Sequence, residues 1–148
     1  MNNPLLISTA AFDGYDLGTA IAETAAVGAD GVEVAFIEGY TDPFTEESFN
    51  QEHADAIRRQ LAKHDIPCLS FSAHMDLTKA NGVEIFTKRM EFASMLGAGT
   101  IITNAAPIAR KSEFMSNIRQ LGRVAESLGI TIGLENPGDG KANVIDTA

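Results

Sequence analysis

The strongest constraint on this chain is a repeated unit in which a short apolar run, a polar turn and an amphipathic stretch lead into the next apolar run. Runs that read as strands begin at Val32, Cys68, Thr100 and Thr131, separated by 36, 32 and 31 residues. Three of the stretches between runs finish on glycine, in AVGAD, MLGAG and SLGIT, where a left-handed residue can end a helix without a Cβ clash. The amphipathic stretches repeat at three and four residues, the helical period. Their inward positions are Leu17, Ala20, Ile21, Thr24 and Val27; Ala54, Ile57 and Leu61; Val83, Phe86, Met90, Ala93 and Leu96; and Phe114, Ile118, Leu121, Ala125 and Leu128. Strands are expected at Leu5 to Ser8, Val32 to Phe36, Pro67 to Phe71, Thr100 to Thr103 and Thr131 to Leu134. Asp16 is expected to cap the first helix and Gly28 to stop it. Thr45-Glu46-Glu47 should open the second helix with acids in its first turn, where the helix dipole favours them, and His64-Asp65 should end it.

Strict alternation of short apolar strands with amphipathic helices predicts parallel strands joined by right-handed crossovers. Two architectures satisfy it, an open doubly wound sheet and a (β/α)₈ barrel. No G-x-G-x-x-G follows the first strand and no G-x-x-x-x-G-K-S/T occurs, so the usual nucleotide signatures of open sheets are missing and the barrel is favoured. Four βα units and a fifth strand make about half of the ~250 residues a closed barrel requires. The fold expected is therefore α/β, of (β/α)₈ TIM-barrel type, with residues 1–148 as one domain forming its N-terminal half. Either the chain is a fragment or two copies complete each other.

Composition narrows the function classes. With 45% hydrophobic and 21% charged residues, the chain has the balance of a globular protein able to build a core. Eleven basic against twenty acidic residues give a net charge of −9, which repels phosphate backbones and anionic membranes, so nucleic acid and membrane are not expected partners. No stretch approaches the ~20 apolar residues that span a bilayer, and the first residues lack a signal-peptide pattern, so a cytoplasmic location is expected. Cys68, the single cysteine, lies in an apolar run and reads as a buried, inert thiol.

In parallel β/α folds chemistry sits where strands stop. This selects Ser8, Thr9 and Phe12 after the first strand; Glu33, Glu38 and Tyr40 at the second; His74 and Asp76 after the third; Asn104 after the fourth; and Glu135 and Asn136 after the fifth. Glu135 follows Ile132-Gly133-Leu134 and precedes Asn136-Pro137-Gly138, so a carboxylate emerges at a strand mouth. There it could ligate a hard divalent ion or accept a proton from carbon; the alternative is a turn glutamate. His74 leaves the third strand on the same rim, where an imidazole could bind a metal or donate to a substrate oxygen, or be structural. Glu33, between Val32 and Val34, points either into the lumen or toward the helices, where it could orient a ligand or form a structural ion pair. Asn104 could serve a polyol or close the turn before Pro107. Gly138 to Gly140 with Lys141 is a weak phosphate candidate, and His53 and His64 are not site candidates.

Four segments, GADGVEVAF, LSFSAHMDL, MLGAGTIITNAA and GLENPGDG, together resemble the xylose isomerase-like barrel superfamily, which includes ketose epimerases, hydroxypyruvate isomerase and the family 2 AP endonucleases. The resemblance implies that Glu135 is a metal ligand and that His74 lines the pocket. The family's other ligands, an aspartate, a histidine and a second glutamate, come from strands six to eight, which this sequence lacks. The endonuclease branch places a second histidine after the fourth strand, where this chain has Asn104, so the sugar branch is the closer match. The resemblance thus implies a sugar or sugar-phosphate isomerase or epimerase using Mn²⁺, Mg²⁺ or Co²⁺ in preference to Zn²⁺. Its substrate would be a small sugar or hydroxy-ketone, with Glu135 catalytic and a metal ligand and His74 touching substrate; Asn104 and Glu33, read from their own positions, are the further candidates for touching it. The alternatives are a zinc phosphodiesterase of the endonuclease kind and a non-catalytic half-barrel that self-associates as a homodimer.

Overall fold

A computed structural model of the chain describes residues 3–41, 43–136 and 142–145. Five strands, β1 (Leu6–Ser8), β2 (Gly31–Ala35), β3 (Cys68–Ser72), β4 (Thr100–Asn104) and β5 (Thr131–Glu135), alternate with four helices. The helices are α1 (Leu17–Ala26), α2 (Gln51–Lys63), α3 (Gly82–Leu96) and α4 (Lys111–Leu128). The strands form one parallel sheet in the order β1-β2-β3-β4-β5. Each helix packs on the next in sequence, as expected when every crossover has the same hand and the strand order never reverses. The sheet and its helices are roughly half of a (β/α)₈ barrel. No helix among the described residues is long and apolar enough to cross a membrane.

The helix ends follow the expected chemistry. The Asp16 carboxylate accepts from Thr19 N at 2.9 Å and caps α1. Gly97 and Gly129 adopt left-handed φ of 86° and 67° after α3 and α4, which lets each N–H turn back to a carbonyl of the last turn. After α2 the same conformation falls on Asp65, with φ of 50°.

One element differs from expectation. Thr45-Glu46-Glu47 does not open α2; Glu46–Ser48 is a separate 3₁₀ turn, and α2 begins at Gln51 with Asn50 as its cap, Oδ1 accepting from His53 N at 2.9 Å. Asn50 is the better cap, and the acidic turn is held apart because Glu46 reaches across to a buried arginine of α3.

The sheet has two unlike faces. Val32, Val34, Phe71 and Ile101 are fully buried against the helices, and full burial of such a side chain stabilises by roughly 1.5–3 kcal/mol. Phe36, Phe49, Phe71 and Phe92 interlock there at ring separations of 5.3 Å for Phe49–Phe92 and 5.7 Å for Phe36–Phe71. The alternate residues face the inner, helix-free side. Leu6, Gly31 and Leu69 form its lowest layer, and a Cβ on Gly31 would meet Leu69 Cδ1 at 2.9 Å and Leu6 Cδ2 at 3.0 Å. Leu69 is the extra residue of a register shift, since Val32 pairs with Cys68 and Glu33 with Ser70. Above that layer the inner face alternates: Ser8, Glu33, Ser70, Thr100 and Thr131 lie in one row, Ala35, Ser72, Ile102 and Gly133 in the next, and Asn104 and Glu135 are paired in the uppermost.

Candidate functional site

Three adjacent strands deliver an imidazole, an amide and a carboxylate to one rim. His74 follows β3, Asn104 ends β4 and Glu135 ends β5, with Asn104 directly opposite Glu135 in register. His74 Nε2 lies 3.4 Å from Glu135 Oε2 and 3.0 Å from Ser72 Oγ. The Glu135 side chain is 47% exposed and that of His74 20% exposed, so both groups can meet a ligand without the site being dismantled.

The Ser72–His74–Glu135 group is not a nucleophile triad. A serine activated by histidine needs the carboxylate on the opposite ring nitrogen, whereas here both neighbours share Nε2. The arrangement instead suits an imidazole that donates to oxygen beside a carboxylate that holds a cation or a proton.

The segment carrying His74 is held from both sides. Ala73 N donates to Ile102 O at 3.0 Å. Met75 N donates to Thr103 Oγ1 at 3.1 Å, and Thr103 Oγ1 donates to Met75 O at 3.3 Å. On the helix side, Arg89 of α3 donates from Nη1 to Ala73 O at 3.3 Å and to His74 O at 3.4 Å. Its other end pairs with Glu46, and the guanidinium lies over Phe49 and Phe44 at 5.3 Å and 5.8 Å. Arg89 is 6% exposed and was passed over in the sequence. The signal was a charge three residues after Phe86 and four before Ala93, within the apolar stripe of α3.

The remaining candidates are placed as follows. Glu33 faces the inner side and accepts from Ser70 Oγ at 3.0 Å, but its row lies four strand positions below Glu135, roughly 13 Å along the wall, so it is not part of the rim group. Asp76 is occupied locally, its Oδ1 accepting from Thr78 N at 2.8 Å and Thr78 Oγ1 at 2.6 Å. Glu38 pairs with Lys79 across the surface at 3.6 Å. Thr9 Oγ1 accepts from Ala35 N at 2.9 Å, and Ser8 Oγ from Ala10 N at 3.4 Å. Phe12, Tyr15, Phe36 and Tyr40 help to line a hollow of about 50 Å³ beside the ends of β1 and β2, which does not reach His74 or Glu135. His53 sits against Phe36 and Phe92, its Nδ1 2.9 Å from Ser48 O. Cys68 is 3% exposed, its Sγ donates to Ser70 O at 3.3 Å, and burial pushes the thiol up to about 11. Asn136 is exposed. Gly138 to Gly140 and Lys141, with the turn at Pro137, lie outside the described residues.

As to metals, Glu135 and His74 supply one hard oxygen and one imidazole nitrogen side by side, which fits part of a divalent ion's donor set. Among the described residues, no group of three His, Cys, Asp or Glu side chains comes together that could hold an ion.

These features define a class, the half-wall of a β/α barrel with polar side chains at the strand mouths. The chain belongs to the xylose isomerase-like TIM barrel family, whose model matches residues 21–148. No curated protein matches it in sequence. Among solved structures, it is similar to a D-allulose 3-epimerase from Methylomonas sp. at 18% identity and a TM-score of 0.71, over 97% of this chain and 55% of that one. A D-tagatose 3-epimerase-like protein matches at 16% identity and a TM-score of 0.73, over 95% and 55% of the two chains. A xylose isomerase-like TIM barrel protein from Mycobacterium smegmatis, in complex with magnesium, matches at 14% identity and a TM-score of 0.71, over 88% and 54%. The chain thus spans about half the length of the structures it matches.

Proposed function

We propose that these residues form the β1–β5 part of a metal-dependent isomerase or epimerase that moves a proton next to the carbonyl of a small sugar, sugar phosphate or hydroxy-ketone. The observation that carries this reading is the juxtaposition of His74 Nε2 and Glu135 Oε2, 3.4 Å apart at the mouths of β3 and β5. Names among the similar structures, the two 3-epimerases foremost, support the substrate class.

In this reading Glu135 accepts the proton from the carbon between two substrate oxygens and returns it, His74 donates from its ring to one of those oxygens, and Asn104 offers donor and acceptor to a neighbouring hydroxyl. A divalent ion, Mn²⁺, Mg²⁺ or Co²⁺, would be held by Glu135 with His74 beside it, and would polarise the carbonyl so that the adjacent C–H becomes acidic. A carboxylate has two oxygens, so one group can serve both ligation and proton transfer. Glu33, hydrogen-bonded to Ser70 in a lower row, contributes negative potential beneath the site and touches only a substrate long enough to reach down the wall. The net charge of −9 disfavours the zinc phosphodiesterase alternative, since a phosphate backbone would be repelled.

The test is exchange of the carbon-bound protons of dihydroxyacetone with D₂O in the presence of Mg²⁺, followed by ¹H NMR. Exchange above the protein-free rate is expected, falling by about 10²-fold or more in Glu135→Gln, the usual scale of general-base catalysis. Equal exchange by wild type and Glu135→Gln removes Glu135 from the chemistry. No exchange by the wild type overturns the catalytic reading for these 148 residues.

A further inference from the structure

We propose that Arg89 is the positioning residue for His74, and that through Glu46 it ties the loop between β2 and α2 to the rim site. This inference rests on the function proposed above, because it assigns a means of holding one of that site's groups.

The two carbonyls that Arg89 Nη1 holds, Ala73 O and His74 O, belong to the peptide planes immediately before and after the His74 Cα. Fixing both planes brackets the two backbone torsions that aim the imidazole. The second plane is also fixed by Met75 N on Thr103 Oγ1, so the His74 backbone is determined from the helix side and from β4 together. Side chains on a helix lean toward its N-terminus, and α3 begins at the strand mouths, so a long side chain from mid-helix reaches the rim.

A buried arginine whose only purpose was stability would be a poor choice, since an apolar residue of similar volume often stabilises as well as a buried ion pair. What an apolar residue cannot do is donate to two carbonyls. The guanidinium also ends on Glu46 and lies over Phe44 and Phe49, three residues of the segment between β2 and α2. Glu38, Gly39, Thr41 and Pro43 of that segment border an open hollow of about 390 Å³ together with Glu46 and Arg89. A ligand that moves this loop therefore pulls on the same side chain that aims His74, which couples loop position to ring orientation.

The test uses the full chain labelled with ¹⁵N-histidine, whose three imidazoles (His53, His64 and His74) are read in a long-range ¹H–¹⁵N spectrum, with His74→Asn assigning the third. Arg89→Lys keeps the charge but loses the planar fork. It should shift or broaden the His74 ring signals, leave those of His64 at the far end of α2 unchanged, and lower Mg²⁺-dependent dihydroxyacetone exchange by about tenfold, the lower end for losing an outer supporting partner. Glu46→Gln should move the His74 signals in the same direction and decides the matter if Arg89→Lys does not fold. Unmoved His74 signals in the folded variants overturn the proposal. Failure of the underlying functional reading shows separately, as exchange that does not respond to Glu135→Gln while the ring signals still respond to Arg89→Lys.

Discussion

Thr103 and Met75 exchange two hydrogen bonds through one hydroxyl. Thr103 Oγ1 accepts from Met75 N at 3.1 Å and donates to Met75 O at 3.3 Å, and the threonine is fully buried. A β4 side chain thus supplies the pairing that a longer β3 would have provided. Thr103→Val keeps the shape and removes both bonds, leaving a buried N–H without a partner. It should destabilise the fold by roughly 1–3 kcal/mol, measured by urea unfolding; a change below experimental error would mean that water replaces the hydroxyl.

Gly82 and Gly31 are both tight, but against different neighbours. A Cβ at Gly82 would lie 2.8 Å from the Leu77 carbonyl oxygen, a backbone atom, whereas at Gly31 the obstacles are the ends of Leu69 and Leu6. Side-chain ends can rotate away and backbone cannot. Gly82→Ala should therefore cost about 1–3 kcal/mol, the usual scale of overpacking, and Gly31→Ala clearly less. Equal losses in a thermal unfolding comparison would contradict the distinction.

The thiol of Cys68 has a pH signature. Burial, more than any other influence, raises it from 9.0 to about 11 in the folded chain, with Glu33 adding to the effect. The unfolded chain gives up that proton near 9.0 and the folded chain only near 11, so the stabilisation is complete below pH 9 and is lost as pH rises through about 11. Wild type should therefore lose more stability than Cys68→Ala between pH 8 and 11, by up to about 2–3 kcal/mol. Rapid alkylation by iodoacetamide at pH 8 without unfolding would show the thiol to be accessible after all.

Among the described residues β1 and β5 each have a strand neighbour on one side only, and unpaired parallel edges seek partners. The chain is expected to associate with itself, with a molar mass by light scattering that rises above 15.7 kDa as concentration increases. A sharp species at twice that mass would favour two halves closing one barrel. A mass fixed at 15.7 kDa at every concentration would show that the edges are covered.

The architecture was legible because the pattern is redundant. Each helix shows its period and each strand its apolar run, and three helices end on a glycine, so no single residue decides the outcome. The placement of His74, Asn104 and Glu135 at strand ends followed from the same pattern. Their mutual distances did not, since β3 and β5 meet only through the strand between them. Glu33 illustrates the limit: alternation showed it opposed to Val32 and Val34, but only the packed core says which face is inward. The acidic turn at Glu46 was assigned to the start of α2, and its partner Arg89 carried no expectation at all. Local propensity assigned the acids to a helix start, while the tertiary ion pair, between residues 43 positions apart, took Glu46 elsewhere.

The inner face is graded in layers from bottom to top, with Leu6, Gly31 and Leu69 lowest, hydroxyls and Glu33 next, then Ala35, Ser72, Ile102 and Gly133, and Asn104 and Glu135 at the lip. That grading acts as a mating code. A polypeptide that closes this wall must offer apolar groups lowest, hydrogen-bonding groups above them, a mainly apolar layer next and hydrogen-bonding groups at the lip, in the same order along each strand. Fragment complementation could read the code directly, because a library of second halves selected for restoring a soluble barrel should become apolar in its lowest inward positions and polar in its highest, with substrate never having been part of the selection.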